Sequence, residues 1–544
     1  MCAPVGEAES STRPAELRGS VLDVLQDLLV GRNDSAIVEL VAKLVSRNRE
    51  LEMLLAHVRT GKHSSERVAK EQLDLFLDKL RAASEGELKA ADESLQKTAG
   101  DLGGRHRAAR PPKQPALRRP IPAGLRRVDH PIAVPPDERP CPTCGKERTC
   151  IAHERTEVID FKPAEVFVRV DVKEVLACTA CDAELVRAPM GDKVVAGGAY
   201  GSALVAKLLV SKYWDGMPLH RQGEELARLG LAMPSSSMSD QITWATDLLR
   251  PIWTLLTTDI INADVMHVDG TSLPVLDRDS AKGIVTGALW GYVGDRSTAV
   301  YLYTSTAKKT GQLEGELGPD DLLRLRHGPI VADASNLFDA LFQSPDRIEV
   351  GCNMHARRYW VKALEAGDAR ASVPVAAYRA LYDVEDDVRA LDADARKQQR
   401  QQRSKPIYDE LLTWCRTYQA LEPPGSLLAK AIQYLDNHHV ALTRFLDDGR
   451  LPIDNGIVER LHRRPAVGRR NYLFAGSHAA GTRSAIAYSV LATCYLLDIN
   501  PTEYLSDVLP RLARGIFKRA ELRDLVPANW LAARATAAPV PQAT

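Results

Sequence analysis

The sequence predicts an α+β protein of several domains, and three observations carry that prediction. The chain has 544 residues, more than one hydrophobic core ordinarily organises. Runs with the spacing of strands are confined to residues 156–178 and 264–333, while the long stretches around them repeat apolar residues at helical intervals. A composition of 45% hydrophobic and 26% charged residues is that of a chain that folds in water.

Residues 15–96 read as a helical, coiled-coil region. Ile37, Leu44, Leu51 and Val58 fall seven apart, and Leu40, Arg47 and Leu54 fill the complementary seam three residues on. Such a seam seeks a second helix, either in another copy of the chain or elsewhere in the same one. Residues 97–139 follow as a basic, proline-rich linker. From Gly103 to Arg127 there are eight Lys and Arg residues and no acid. With so little apolar surface to bury, this is either a solvated spacer or a strap for a phosphate backbone.

Residues 140–190 form the next unit. Cys141-Pro-Thr-Cys144 and Cys178-Thr-Ala-Cys181 bracket a strand-rich run. A hairpin that brings the two knuckles together supplies four thiolates in a tetrahedral cage, which predicts a zinc-ribbon-like module with Zn²⁺ on Cys141, Cys144, Cys178 and Cys181. Cys150 and His153 are a rival pair for Cys141 and Cys144. Four sulfur ligands leave no open coordination position, so this zinc would fold a module rather than catalyse.

Residues 198–258 are helical. PLHRQGEELARLGLAMPSSSMSDQITWATDLL gives two amphipathic helices around a turn, with Ser235 to Ser237 as a cap for the second. Helix-turn-helix DNA binding and plain helical packing both fit. The period then changes. VMHVDGTSLPVLD, GIVTGALWGYVGD and STAVYLYTST read as consecutive strands, followed by a helix near 309–326 and the short apolar run PIVADA. That order is the order of a ribonuclease-H-like α/β core, assigned to 262–350 and 452–500. Residues 351–451, helical and charged and broken at Pro423-Pro424-Gly425, interrupt it as an insertion, and 501–544 remain as a C-terminal tail.

Formal net charge is zero, but Asp383 to Asp394 is acidic where the linker is basic, so the total hides segregated charge. The opening residues MCAPVGEAESS have no basic-then-apolar signal, and the most apolar stretch, Ala485 to Leu497, is too short to span a bilayer. A cytoplasmic protein without a membrane partner is expected.

Three acids concentrate the chemistry. Asp269 in HVDGTSLPVL and Asp333 in GPIVADASNLF sit at or just past apolar strand-like runs, and Glu459 follows Asn455 on a helix crowded with arginine. Carboxylates at strand ends joined by a third from a helix suit two hard divalent cations acting on a phosphodiester. Arg460, Arg463, Arg464, Arg469 and Arg470 around Glu459 would either pair with acids or accept phosphates. The residues by themselves leave both readings open.

The run IDNGIVERLHRRPAVGRRNYLFAGS resembles the C-terminal signature of the insertion-sequence-66 family of DDE transposases. It matches an Asn-x-x-x-Glu-Arg block at Asn455 to Arg460 and a Gly-Arg-Lys-Asn-Trp-Leu-Phe-Ala-Gly-Ser block at Gly468 to Ser477. Gly351-Cys352-Asn-Met-His355-Ala-Arg357-Arg358 is similar to a further block of that family, as are LLVSKYWDGMPLHRQ, RTGKHSSERV and the two CxxC pairs. The resemblance covers roughly residues 35–530. The chain departs from the pattern at Asp269-Gly270-Thr271, where the family usually has Asp-Glu-Thr, and at Asp333-Ala334-Ser335, where it usually has Asp-Gly-Tyr.

The resemblance implies that Asp269, Asp333 and Glu459 are the catalytic acids and hold Mg²⁺ or Mn²⁺, with Asp264, Asp277 and Asp339 as fallbacks. It implies water attack on a phosphodiester at an element's terminal inverted repeats, then attack of the freed 3′-hydroxyl on target DNA. Arg357 and Arg358 join the other five arginines as expected DNA contacts, and His355 is either a phosphate-orienting group or a structural histidine. Implied partners are DNA, further copies of the chain and two small accessory proteins, at the bacterial nucleoid. A catalytically inactive DNA-binding relative and a ribonuclease-H-like nuclease without strand transfer are the alternatives.

Overall fold

Strand formation between 266 and 351 follows side-chain burial. The computed structural model describes residues 85–103, 146, 165–172, 174–176, 186–187, 194–195, 198–306, 318–333, 340–419, 422–423, 425–515 and 518–536. Five strands make one mixed sheet: β1 (Met266–Leu276), β2 (Ile284–Gly294), β3 (Thr298–Thr304), β4 (Gly328–Ala332) and β5 (Arg347–Gly351). Their order is β3-β2-β1-β4-β5. The first three are antiparallel neighbours, whereas β4 and β5 run parallel to β1. A mixed sheet of this order among many helices is compatible with a ribonuclease-H-like core.

The three strands read from the sequence appear where expected. The fifth, RIEVG, carries two charges in five residues and gave no alternation to read. Its Arg347 is tied down by donating to the carbonyls of Leu323, Leu341 and Arg324. β2 and β3 meet in a tight turn with Asp295 and Arg296 both at positive φ, 46° and 61°. The Asp295 carboxylate then accepts the N–H groups of Asp264 and Val265 at 3.0 Å each, fixing the start of β1.

Helix α1 (Glu85–Gly103) runs seven residues into the stretch read as linker. The heptads of 37–58, nearly all of the linker, and all four cysteines of the zinc reading lie outside the described residues. Val175–Leu176 and Val186–Arg187 pair antiparallel. Helices α2 (Ser202–Tyr213), α3 (Leu219–Arg228) and α4 (Ser235–Ile261) follow. The position that caps α4 is Pro234, and no side chain caps it, so Ser235 to Ser237 do not act as the expected cap. α4 sets Ile242, Leu249, Ile252, Leu256 and Ile260 into the core beneath the sheet, so the buried face of the second helix-turn-helix candidate is used in packing. Before β4, the helix expected near 309–326 is present as α5 (Pro319–Arg324).

Between β5 and the last part of the core come α6 (Asn353–Glu365), α7 (Ser372–Val388), α8 (Ala393–Gln399), α9 (Lys405–Gln419) and α10 (Leu427–Thr443). All of these but α8 share a second hydrophobic core around Trp360, Tyr378, Tyr408 and Trp414, which also takes in Leu95 and Ala99 of α1. Asp92 of α1 accepts from Trp414 Nε1 at 2.7 Å and from the Tyr418 hydroxyl at 2.9 Å. This helical stretch leaves and rejoins the half that holds the sheet at one place. Asn353 donates through both its backbone N–H and its side chain to the Ile453 carbonyl, at 3.1 and 3.0 Å.

The chain then returns as α11 (Gly456–Tyr472) and α12 (His478–Leu496). α12 is the most apolar stretch of the sequence, and its polar residues have a purpose. Thr493 Oγ1 donates to the Ala299 carbonyl and accepts the Ala299 N–H, both at 3.0 Å, and Ser489 Oγ accepts the Tyr301 N–H at 2.7 Å. Trp253 of α4 donates to the Tyr301 carbonyl at 3.1 Å. Along the outer edge of β3, Ala299 and Tyr301 therefore have their backbone groups satisfied by side chains. The stretch left as a tail is folded as far as Thr536. It forms α13 (Pro501–Ala513), α14 (Arg519–Asp524) and α15 (Pro527–Thr536), with Tyr504 donating to the Leu525 carbonyl and Arg523 paired to Asp259.

Candidate active site

The sheet opens where β1 and β4 part. These parallel strands pair only at Met266 with Ile330 and His267 with Val331. Asp269 lies two residues further along β1, and Asp333 is the first residue beyond β4. A crevice outside the carboxyl ends of diverging parallel strands is the usual place for a ligand in such sheets. α11 crosses β1 and β2 beside it and brings Glu459 in its first turn. The structure thus gathers the three predicted acids at one end of the sheet.

Their charges act on one another. Burial and then the charge of Asp333 push the Asp269 carboxyl up to about 7, and Glu459 adds to this. The Gly270 N–H, donated to Asp269 Oδ1 at 2.8 Å, and the Arg358 guanidinium work the other way without cancelling it. Like charges crowded in a low-dielectric crevice resist joint ionisation. Glu459 has one oxygen engaged and one idle: Oε2 accepts from Arg358 Nη2 at 2.6 Å, while the buried Oε1 has no hydrogen-bond partner among the described residues.

Across 3.5 Å from Glu459 Oε1 stands His355 Nδ1, likewise buried and without a partner. Arg358 Nη1 lies 3.1 Å from His355 Nε2. A guanidinium only donates, so Nε2 is the acceptor and the imidazole proton belongs on Nδ1. Burial holds His355 below the ordinary histidine range against the pull of Glu459. Cys352, His355 and Glu459 have ligand atoms within 4.8 Å of one another, a grouping able to hold a metal ion. Cys352 is the weak member: burial pushes its thiol up to about 12, and its Sγ accepts the Asn455 N–H at 3.3 Å.

Four further residues belong to this site to which the sequence reading gave no role there. His462 lies one helical turn beyond Glu459, with Nε2 3.5 Å from Asp269 Oδ2 and Nδ1 3.4 Å from the Tyr301 hydroxyl. Burial pushes it down to about 4, so it is neutral in ordinary buffers. Gly291 stands opposite Asp269 on β2, and a Cβ there would come 2.8 Å from the His462 ring, so only glycine fits. Asn455 and His267, both buried, bond to each other at 3.0 Å beneath the acids. The one available signal was spacing, a histidine three residues after Glu459.

The seven arginines divide. Arg464 is spent on the fold, donating to the Trp214 carbonyl at 3.1 Å and lying over its ring at 4.7 Å. Arg469 Nη1 clamps β1 through Thr271 Oγ1 at 2.9 Å and the Ser272 carbonyl at 2.6 Å. Arg358 holds Glu459. Arg357, Arg460, Arg463 and Arg470 have no ion-pair partner among the described residues, and the last three are exposed. Of the fallback acids, Asp264 precedes β1 at its far end, Asp277 lies beyond its other end with Oδ2 3.7 Å from His478 Nε2, and Asp339 lies outside the described residues.

Among the described residues no helix is long and apolar enough to cross a membrane. Comparison with known families matches residues 197–483, a little over half the chain, to the family described as Transposase IS66 family. The match spans all three acids. Curated relatives in Sinorhizobium fredii carry the printed description of uncharacterized proteins. The chain is 29% identical to y4hP over 505 residues, which are 88% of this chain and 87% of that protein. It is 28% identical to y4jD over 427 residues, 76% and 82% respectively. It is 29% identical to y4qI over 454 residues, 81% of each.

Proposed function

We propose that this chain, which belongs to the IS66 family of transposases, binds the terminal inverted repeats of an insertion element and there cleaves DNA strands and joins them to a target. Asp269, Asp333 and Glu459 are the catalytic carboxylates in this reading. The observation that carries it is the convergence of the three acids at the end of the sheet where β1 and β4 part, with Asp269 under the charge of both Asp333 and Glu459. A site that crowds carboxylates until one resists ionisation is a site that favours added positive charge.

The donor set fits hard divalent cations: carboxylate oxygens, one of them the unpartnered Oε1 of Glu459, with a single guanidinium nearby. Mg²⁺ or Mn²⁺ bound there would acidify water and offset charge on the scissile phosphate. The protein groups divide the remaining work. The Gly270 N–H orients the Asp269 carboxylate. His462, neutral and buried, closes the space behind it. Arg358 holds Glu459 and stands at the crevice mouth, half exposed, where a phosphate oxygen can take it up. Arg357, Arg460, Arg463 and Arg470 supply cations to the DNA backbone. Cys141, Cys144, Cys178 and Cys181 carry a structural zinc, and the N-terminal heptads join copies of the chain on DNA.

A second reading, a relative that binds element ends without cutting, is favoured by Gly270, which stands where the family pattern carries glutamate. A cleavage and joining assay on DNA bearing the terminal repeats, with Mg²⁺, separates the two. Wild type should cut and join while Asp269→Ala and Glu459→Ala do neither. Equal activity in all three would remove the acids from the mechanism, and binding without cutting by wild type would favour the second reading.

A further inference from the structure

Asn455 occupies the position that caps α11, yet its side chain gives the helix no capping bond. Asparagine at this position ordinarily accepts a free N–H of the first turn. Here a neighbour serves the helix start, since Asp454 Oδ1 accepts the Gly456 N–H at 2.8 Å. The Asn455 amide turns to the strand that bears Asp269. Nδ2 donates to the Val268 carbonyl at 2.8 Å, and Oδ1 lies 3.0 Å from His267 Nδ1. With Nδ2 fixed as a donor, Oδ1 is the acceptor and His267 donates. The backbone N–H of Asn455 reaches Cys352 Sγ, so the end of β5 is drawn into the same joint.

The position of this joint gives it a use. Pairing of β1 with β4 stops at His267, so the Val268 carbonyl lies where the strands have separated, and Asn455 supplies a donor there. Val268 directly precedes Asp269. Glu459 is one turn up the helix that Asn455 opens, and its N–H donates to the Asn455 carbonyl at 3.4 Å. One fully buried side chain therefore spans the two elements that carry the first and third acids. A rotation of α11 about its start would carry Glu459 away from Asp269; Asn455 bonds both elements at that start, while Arg469 ties the last turn of the helix to Thr271 and Ser272.

We infer that Asn455 is a positioning residue that fixes the separation of the Asp269 and Glu459 carboxylates for the divalent cation they share. The inference rests on the reading of those two acids as cation-binding groups. Groups that orient the ligands of a cation typically contribute about 10–100-fold to its affinity.

The test is a Mn²⁺ titration of the full-length protein, followed by electron paramagnetic resonance, beside thermal melts of the same samples. Asn455→Ala should weaken Mn²⁺ binding by about tenfold or more at a temperature where circular dichroism shows the variant folded. A lower melting temperature with wild-type Mn²⁺ affinity would reduce Asn455 to a structural residue and overturn the inference. Should the alanine variant fail to fold, Asn455→Asp decides. It keeps the shape and the acceptor for His267 and loses only the donor to Val268. Its added negative charge by itself favours Mn²⁺, so weaker binding comes from geometry, and equal or tighter binding overturns the inference. Asp269→Asn in the same titration isolates the premise. If it binds Mn²⁺ as wild type does, or wild type binds none, the carboxylate reading falls and takes the inference with it. If it weakens binding while both Asn455 variants do not, the inference alone falls.

Discussion

Nε2 of His462 and Oδ2 of Asp269 face each other across 3.5 Å, and the histidine nitrogen has no hydrogen-bond partner among the described residues. The imidazole is wedged between Gly291 and Tyr301, so its place is set by packing. His462→Leu keeps an apolar filling and removes the polar edge presented to Asp269. Strand cleavage should fall by about tenfold or more while the melting temperature stays near that of wild type. Unchanged cleavage would take His462 out of the site.

The elevation of Asp269 has a signed consequence for stability. Its native carboxyl titrates near 7 and its unfolded one near the ordinary 3.8. Between those values the native state holds a proton that the unfolded chain has released, so the associated stability is present below about pH 4 and lost as pH rises through about 7. In chelator, Asp269→Asn should gain stability relative to wild type across that window, with the difference levelling off above pH 7. Thermal melts at several pH values check this, and a difference that does not change with pH would contradict a crowded acid site. His267 and His462, both pushed down to about 4, contribute the opposite slope on acidification, but they are present in both proteins.

Gly270 lies directly across the β1–β2 pair from Trp290, and a Cβ there would come 2.8 Å from the indole ring. The indole thus occupies the room of a side chain at 270. Restoring the family residue with Gly270→Glu should destabilise the protein by about 1–3 kcal/mol. Combined with Trp290→Ala, which opens the room the new side chain needs, it should cost less than the sum of the two single changes. Chemical denaturation of the two single variants and the double variant measures the coupling, and simple additivity would refute it.

The arginines of α11 are predicted to separate by role. Arg463→Gln with Arg470→Gln should weaken binding to DNA of any sequence and lower the slope of log affinity against log salt by about two, with an unchanged melting temperature. Arg464→Ala should instead lower the melting temperature, because it loses the Trp214 carbonyl and ring. Fluorescence anisotropy over a salt series together with melts tests both. An unchanged salt slope in the first variant would mean that these exposed cations do not meet phosphate.

What could be read from the sequence was local. The first three strands announced themselves through alternation and turn residues, and the acids through their place at strand ends. β5 stayed hidden because Arg347 and Glu349 break its apolar run, a cost the fold offsets with three carbonyl acceptors for one guanidinium. Asn455 and His462 were hidden for a different reason, since what they touch lies 187 and about 190 residues away in sequence. The arginine cluster looked uniform along the chain, and only the approach of Trp214, Thr271 and Ser272 shows that Arg464 and Arg469 are engaged. Ser235 to Ser237 looked like a cap because serine often is one, but Pro234 already holds that position.

The bonds from Ser489, Thr493 and Trp253 along the outside of β3 limit how this molecule can meet another. A sheet with a bare edge can be lengthened by a strand from a neighbour, which is a common route to both specific pairing and aggregation. Here Ala299 and Tyr301 on that edge are already bonded from within, and on the opposite flank Arg444 holds the Glu349 carbonyl of β5. A strand added at either flank would have to displace these bonds, so the strands that lead to Asp269 and Asp333 lie inside a sheet whose two flanks resist extension.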